Sequence, residues 1–594
     1  MTQPAERLPE WNLSDLYSGL KDEAINRDLH RLSGLVSDFC EHYKAPFDRL
    51  SAKKFLESIR DYEAIEELSG KLHSYADLVY AGNMADKDNS RFYQNIQEQL
   101  MALHAQLVYY PLAINAMPER VLKEKMKVNP QLREYQPWLR DVLAFKPYQL
   151  SDDLERLLVE KRVTTQSWVR LFDETIAGMR FKIGKEELTS AEALDLLSNK
   201  DRKKREQAAK VIGEAFAEKA DTFTMVTNVL AKDKSIEDAW RGFSRPISSR
   251  NVANQVEDEV VDALLLTVKA NYQKLSHRYY AWKAKQLDLE VLDYWDRNAP
   301  LPGAKDEKYS WEEAREVVLS SYAAFSPELA DIGQQFFDKN WIDVPPRPGK
   351  SPGAFAHPTV PCAHPYLLLN YQGKTRDVMT LAHELGHGVH QVLSAKQGAL
   401  MADTPLTLAE TASVFGEMLT FQEMLRRQKS AKAKQRLIAG KVEDMLNTVV
   451  RQIAFCDFEV QLHDARKNGE LSTQEIGDIW MKVQKESLGP SIRFDDNYRS
   501  YWMYIPHFIH SAFYVYAYAF GDCLVNSLYA VYQQGADDAA EREKFVQKYL
   551  EMLRAGGTLR HKELLKPFGL DASKPDFWQQ GLSMIDGFIS QLDA

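Results

Sequence analysis

Residues 191–240 read AEALDLLSNKDRKKREQAAKVIGEAFAEKADTFTMVTNVLAKDKSIEDAW, with apolar positions every three or four residues amid Ala, Glu, Lys and Leu. That spacing is the period of an amphipathic helix, and those residue types hold a helix well. The same texture runs along most of the 594 residues. The chain is therefore expected to be mainly α, with long helices joined by short loops. Stretches dense in Pro and Gly interrupt it at 297–310 (RNAPLPGAKDEKYS) and 344–365 (VPPRPGKSPGAFAHPTVPCAHP), and both are read as loops. RAGGTLRHKELLKPFGL at 554–570 is read as a third. YLLLNY at 366–371 is short, apolar and flanked by Pro and Gly. It is the best strand candidate, with a buried turn of helix as the alternative.

A chain of this length exceeds one ordinary core, so two or more domains or one very large helical body are expected. A boundary is placed near residue 195, dividing 1–195 from 196–594, where FKIGKEELTS at 181–190 gives way to a basic helix. The 85 acidic and 75 basic residues are well mixed, give a net charge of -10 and form no basic stripe, which argues against a nucleic-acid partner. Cys40, Cys362, Cys456 and Cys523 are scattered without pairing motifs, as in a reducing cytosol, and each is read as a buried small hydrophobe. MTQPAERLPEWNLSDLYSGL at the start has neither the basic opening nor the apolar core of a signal peptide. AFYVYAYAF at 512–520 is too short to span a bilayer. A cytoplasmic protein without membrane attachment is expected.

RDVMTLAHELGHGVHQVL at 376–393 places Val378, Leu381, Ala382, Leu385, Val389, Val392 and Leu393 in one helical sector and His383, His387 and His390 in the opposite one. A solvated histidine face is one reading. The other is a metal site, because His383 and His387, one turn apart, can aim ring nitrogens at one cation while Glu384 reaches a water upon it. His390 lies too far along the axis to join His383 and is read as a supporting or substrate-facing residue. A third ligand is available in DTPLTLAETASVFGEMLTF at 403–421. There Thr404 suits an N-cap and Pro405 the first position of a new helix. Glu410 has Leu406, Thr407, Ser413 and Val414 as its helical neighbours and no basic partner, so its carboxylate needs pairing or coordination. Glu417, seven residues on, either hydrogen-bonds the free nitrogen of a ligating histidine or forms a plain salt bridge.

YWMYIPHFIHSAFYVYAYAFGD at 501–522, read as one helix, puts His507, Ser511, Tyr514, Tyr518 and Gly521 on one face with His510 beside it. A core helix is the plain reading. The wall of a peptide cleft is the functional one, since a tyrosine hydroxyl or imidazole N–H can steady an oxyanion.

Taken in order, WNLSDLY, VEKRVTTQSWVRLFDE (159–174), YWDRNAPLPG (294–303), IDVPPRPGKSPGAF (342–355), HELGHGVH (383–390), LAETASVFGE (408–417) and IPHFIHSAFYVYAYAFG (505–521) resemble the oligoendopeptidase F branch of the thimet oligopeptidase family of zinc metallopeptidases. The resemblance covers nearly the whole chain. It implies one Zn2+ on His383, His387 and Glu410, with Glu384 as general base. It makes His507 and the tyrosines of the late stretch substrate and oxyanion contacts, with Tyr518 and His507 catalytic and Tyr514 the weaker match as oxyanion donor; Tyr514, His510 and His390 are read as substrate contacts, and Glu417 from its position as a partner behind the ligands. It also implies a prolate helical body with two lobes around a deep substrate channel, a small β-sheet near the metal, an N-terminal helical domain over 1–195 and a catalytic domain over 196–594. The expected activity is internal cleavage of short unstructured peptides; YLLLNY would serve as an edge strand for the substrate backbone. A non-catalytic zinc-stabilised scaffold and a metallo-exopeptidase are the alternatives.

Overall fold

Asp22, Ser51 and Ser326 each precede an apolar-periodic run, and each side chain accepts a backbone N–H from the first turn of the helix that follows. Ser310 with Glu313, and Ser472 with Glu475, form reciprocal capping boxes. These local signals set the starts of long helices throughout the computed structural model, which describes residues 8–44, 46–303, 308–535 and 537–593. Helix accounts for 72% of the structure and no barrel closes among the described residues, so the chain is mainly α.

The backbone gathers into two compact units, each assembled from three separate segments. The first takes residues 1–146, 306–427 and 531–570. Its helices Glu23–His42, Ala52–Gly82 and Lys87–Leu107 pack on one another through Leu32, Phe55, Ile59, Leu72 and Leu100, all buried. Helices Trp311–Phe325, Pro327–Asp338, Thr375–Ser394 and Thr411–Arg427 surround the histidines. Beneath the last of these, Phe325, Phe415, Tyr532, Phe545 and Tyr549 form a continuous aromatic cluster. A three-stranded sheet completes the unit. Tyr366–Leu368 is its central strand, parallel to Ile342–Asp343 and antiparallel to Phe355–His357.

The second unit takes residues 147–305, 428–530 and 571–594. Phe216, Phe223, Val261, Leu264, Val442, Trp480, Phe520 and Trp578 are buried in it. A two-residue parallel pair joins Leu292–Asp293 to Ile492–Arg493. There Arg202 donates to Asp293 and Asp296, Arg205 to Asp296 and Arg493 to Asp293, which ties down the YWDRNAPLPG segment.

Several expectations need correction. YLLLNY does supply a strand, but a central one with both sides occupied, so the sheet edges are Ile342–Asp343 on one side and Phe355–His357 on the other. The latter edge lies inside 344–365, which is therefore not wholly loop. The turn ahead of it is held by Asp343, whose carboxylate accepts from Arg347 at 2.7 and 2.8 Å and from Lys350 at 2.6 Å. Residues 181–188 form a hairpin, and 554–570 contains a helical turn at His561–Leu565. Of the 297–310 loop, residues 304–307 lie outside the described residues, as do the first seven residues of the chain. Cys456 and Cys523 are buried, but Cys362 is exposed.

The stretch 501–522 is not one helix. It runs as a 3-10 segment Asp496–Tyr504, a short helix His507–His510, a break, and a helix Tyr516–Gln534. Phe513 sits in the left-handed region at φ 58°, and its N–H donates to Glu459 Oε1 at 2.8 Å instead of continuing a helix. Arg250 holds the same break by donating to the Ala512 carbonyl at 3.1 Å and to Ser511 Oγ at 2.8 Å. No helix of the structure is long and apolar enough to cross a membrane among the described residues.

Candidate metal centre

The histidine helix Thr375–Ser394 buries Val378, Leu381, Ala382, Leu385, Val389 and Leu393 as its apolar periodicity requires. Its other face is covered too, because Glu384, Gly386, Gly388 and His390 are also buried. Glycine makes that possible. A Cβ on Gly386 would come within 2.6 Å of the Ala412 carbonyl oxygen and 2.7 Å of Ser413 Cα, so only glycine lets the glutamate-bearing helix approach this near. A Cβ on Gly388 would meet the Phe336 ring at 2.7 Å. Tyr322, buried between the two helices, donates to the Ala382 carbonyl at 2.7 Å.

The glutamate segment differs from its expected form. Thr404 is not an N-cap; Pro405 takes that place without a side-chain bond, and the Thr404 hydroxyl lies 3.3 Å from His390 Nε2. The first turn, Leu406–Ala409, ends at Glu410 with ψ -1°, and a new helix starts at Thr411. Glu410 thus stands at a break, and Ser413 Oγ donates to its Oε2 at 2.7 Å. By spacing alone Ser413 is only an uncharged helical neighbour of Glu410. A serine three residues after a candidate ligand was the available signal.

These elements bring the predicted ligands together. His383 Nε2 and His387 Nε2 lie 3.2 Å apart, and each is 3.5 Å from Glu410 Oε2. Ligands set ~2.0–2.1 Å from a tetrahedral ion stand about 3.3 Å from one another, so the triangle fits a single zinc-sized cation. The outer ring nitrogen of His383 is fixed as well, with Nδ1 at 2.6 Å from Glu417 Oε1. Such anchoring leaves the Nε2 lone pair for a metal. Glu384 offers a carboxylate oxygen within 4.8 Å of ligand atoms of both histidines. Glu410 is nearer to both and suits direct ligation; the longer reach of Glu384 suits a water.

Burial and the neighbouring carboxylates compete in setting the electrostatics of the site. Burial pulls His383 down, but the hydrogen bond and charge of Glu417, with the charges of Glu410 and Glu384, overcome it and raise it to about 9. His387, where burial dominates over Glu410 and His383 adds repulsion, is lowered to about 4. Glu384 is raised to about 7, chiefly by burial, with His383 opposing and Glu410 and Glu417 reinforcing. His390 is buried and lowered to about 4 by that burial and by His387.

The other predicted residues belong to the second unit. Within it the chain break still gathers a cluster: His507 Nε2 is 3.3 Å from the Tyr518 hydroxyl, the His507 and Tyr514 rings stack at 5.9 Å, and the Tyr514 and Tyr518 rings meet edge-on at 5.4 Å. His507 is lowered by burial, then by His510 and Arg451. His510 pairs with Asp173 at 2.8 Å instead of joining that cluster.

Two imidazoles and a carboxylate with a buried acid beside them make a donor set that fits a metallopeptidase, and the comparisons define the class. The sequence profile described as Peptidase family M3 matches residues 195–584, and that described as Oligopeptidase F matches residues 114–181. The chain belongs to peptidase family M3, a family of metallopeptidases, and is a peptidase. Among named relatives it is similar to Oligopeptidase PepF of Bacillus subtilis, 25% identical over 98% of this chain and 86% of that protein. It is also similar to an oligoendopeptidase F homolog of Borreliella burgdorferi, 27% identical over 95% and 94% of the two chains. Its fold matches the crystal structure described as "putative peptidase from Chlamydophila abortus" with TM-score 0.86 at 23% identity, covering 99% of this chain and 98% of that one. It matches oligoendopeptidase-F of Enterococcus faecium with TM-score 0.71 at 20% identity, covering 96% and 98%.

Proposed function

We propose that the protein is a zinc-dependent endopeptidase that cuts short, unstructured peptides internally. The observation that carries this reading is the triangle of His383, His387 and Glu410, with buried Glu384 beside it. Bound to these three side chains, a zinc ion would supply Lewis acidity and a water acidified towards a pKa of about 7. Glu384 takes the proton from the attacking water and hands it to the leaving amine. Its elevated carboxyl suits both duties, since a group near neutrality can accept and return a proton. Glu417 holds the His383 ring so that its Nε2 stays aimed at the cation. His507 and Tyr518 are read as donors to the developing oxyanion, supported by their mutual contact and by the lowered pKa that keeps His507 neutral. Tyr514, His510 and His390 are read as substrate contacts.

Cobalt or manganese can use the same donors, and zinc is preferred here because two imidazoles and one carboxylate form a usual catalytic zinc set. The free state of all four cysteines supports action in a reducing compartment, read as the cytoplasm. The division near residue 195 stays part of this reading as a limit along the sequence.

Glu384→Gln is the direct test. Metal content measured on the purified variant should match wild type, while kcat on a fluorogenic peptide should fall at least about 1,000-fold. Near-normal turnover in that variant would end the mechanism. Mass spectrometry of wild-type products distinguishes internal cuts from end trimming, and total absence of cleavage would favour a binding scaffold.

A further inference from the structure

The C-terminal half of the histidine helix and the proline-rich segment around Val360 enclose a cavity of about 670 Å3. That volume falls in the ~300–1,000 Å3 range of ligand pockets. Its wall includes His387, a ligand of the proposed metal, and Ala409, the neighbour of Glu410. Consecutive Cα atoms of a peptide are ~3.8 Å apart. A residue flanking a carbonyl at the metal therefore has this wall within reach of its side chain.

The chemistry of the wall is one-sided. Much of it is small or apolar, as at Pro358, Val360 and Ala399. Glu66 and Asp403 are its acids, and no lysine or arginine lines it among the described residues. Glu66 already has His104 at 3.8 Å. Thr404 and His390 satisfy each other at 3.3 Å. Asp403 is exposed, and its carboxylate has neither a hydrogen bond nor an ion pair among the described residues; the protein nearby pushes its carboxyl up. A carboxylate without a protein partner is free to meet a cation entering the cavity through charge-assisted hydrogen bonds.

We propose that this cavity is the subsite for a cationic side chain, arginine above lysine, on a peptide residue flanking the cleaved bond, with Asp403 as its counter-ion. Arginine ranks first because its planar fork can meet a carboxylate through two parallel hydrogen bonds. The inference rests on the peptidase reading above and adds to it the side chain that is selected.

The test uses paired fluorogenic peptides that differ at one flanking position, arginine against its neutral isostere citrulline, with each flanking position tried in turn. Wild type should favour arginine by about 10-fold or more in kcat/KM at one of the two positions. Asp403→Asn should reduce that preference to near unity and leave cleavage of the citrulline peptide unchanged, which also shows that the variant is folded. Equal cleavage of both peptides by wild type at both positions would overturn the subsite and leave the peptidase reading standing. So would an arginine preference that survives Asp403→Asn. Wild-type protein that cleaves neither peptide would overturn the mechanism and the subsite together.

Discussion

His383 and His387 stand one turn apart on the same helix and lean in opposite directions, one raised to about 9 and the other lowered to about 4. Burial acts on both. Only His383 has a carboxylate bonded to its outer nitrogen, and that contact decides the difference. A similar contest governs Glu459 in the second unit, which is 2% exposed. Burial raises its carboxyl to about 8, against the Phe513 N–H and the charges of Arg250 and Lys234. An acid whose folded pKa lies above its unfolded value binds its proton more tightly when folded, so its contribution to stability is present below the unfolded value and is lost as pH rises. The window runs from the unfolded value of 4.5 to about 8. The loss amounts to at most about 1.4 kcal/mol per pH unit. Glu459→Gln keeps an acceptor for Phe513 and has no proton to lose, so the gap in unfolding temperature between variant and wild type should widen in the variant's favour across that window. A gap independent of pH would show that Glu459 does not titrate there.

At the scale of elements, the histidine helix was legible in the sequence because two independent periodicities coincide there. The apolar sector sets its orientation, and the one-turn histidine spacing sets the ligands. Glu410 was legible by its lack of a basic neighbour. The break that presents it was not, because a helix kink at a glutamate has no sequence mark when the residues on both sides favour helix. The late aromatic stretch shows the same limit more strongly. Its continuous helical face does not exist, since Phe513 turns the chain and the stabilising acid, Glu459, lies 54 residues earlier. Gly386 offers the sharpest test at this scale. Gly386→Ala must push the Ala412–Ser413 backbone away and draw Glu410 off the histidines. We expect about 1–3 kcal/mol of lost stability, the usual penalty for overpacking, together with weaker metal binding in a chelator competition. Wild-type metal affinity in a folded Gly386→Ala protein would show that the close helix approach does not set the ligand triangle.

For the whole molecule, the three proposed ligands come from two helices whose seating rests on apolar packing, including the aromatic cluster of Phe325, Phe415, Tyr532, Phe545 and Tyr549. The fold therefore should not depend on the ion as a zinc finger does. Chelation is expected to abolish cleavage while leaving the far-ultraviolet circular dichroism unchanged. The unfolding temperature should drop only as far as lost ligand binding requires, about 2.7 kcal/mol when the free metal had stood at 100 times its Kd. Collapse of the helical signal on chelation would mean that the metal holds the unit together.

By itself the sequence determined the helical class and the resemblance that names the family, and it singled out the two histidines, their intervening acid and a candidate third carboxylate, because each is written in residues close together along the chain. Tertiary structure alone decided what depends on distant segments. Glu417 meets His383 across two helices, Ser413 and Gly386 shape the approach of Glu410, the sheet places YLLLNY at its centre, and Asp403 lines a cavity that also includes His387. The two compact units each draw on three stretches of chain, so no reading of one stretch could place these partners. Local periodicity sets which face a side chain takes; only packing between segments sets what that face meets.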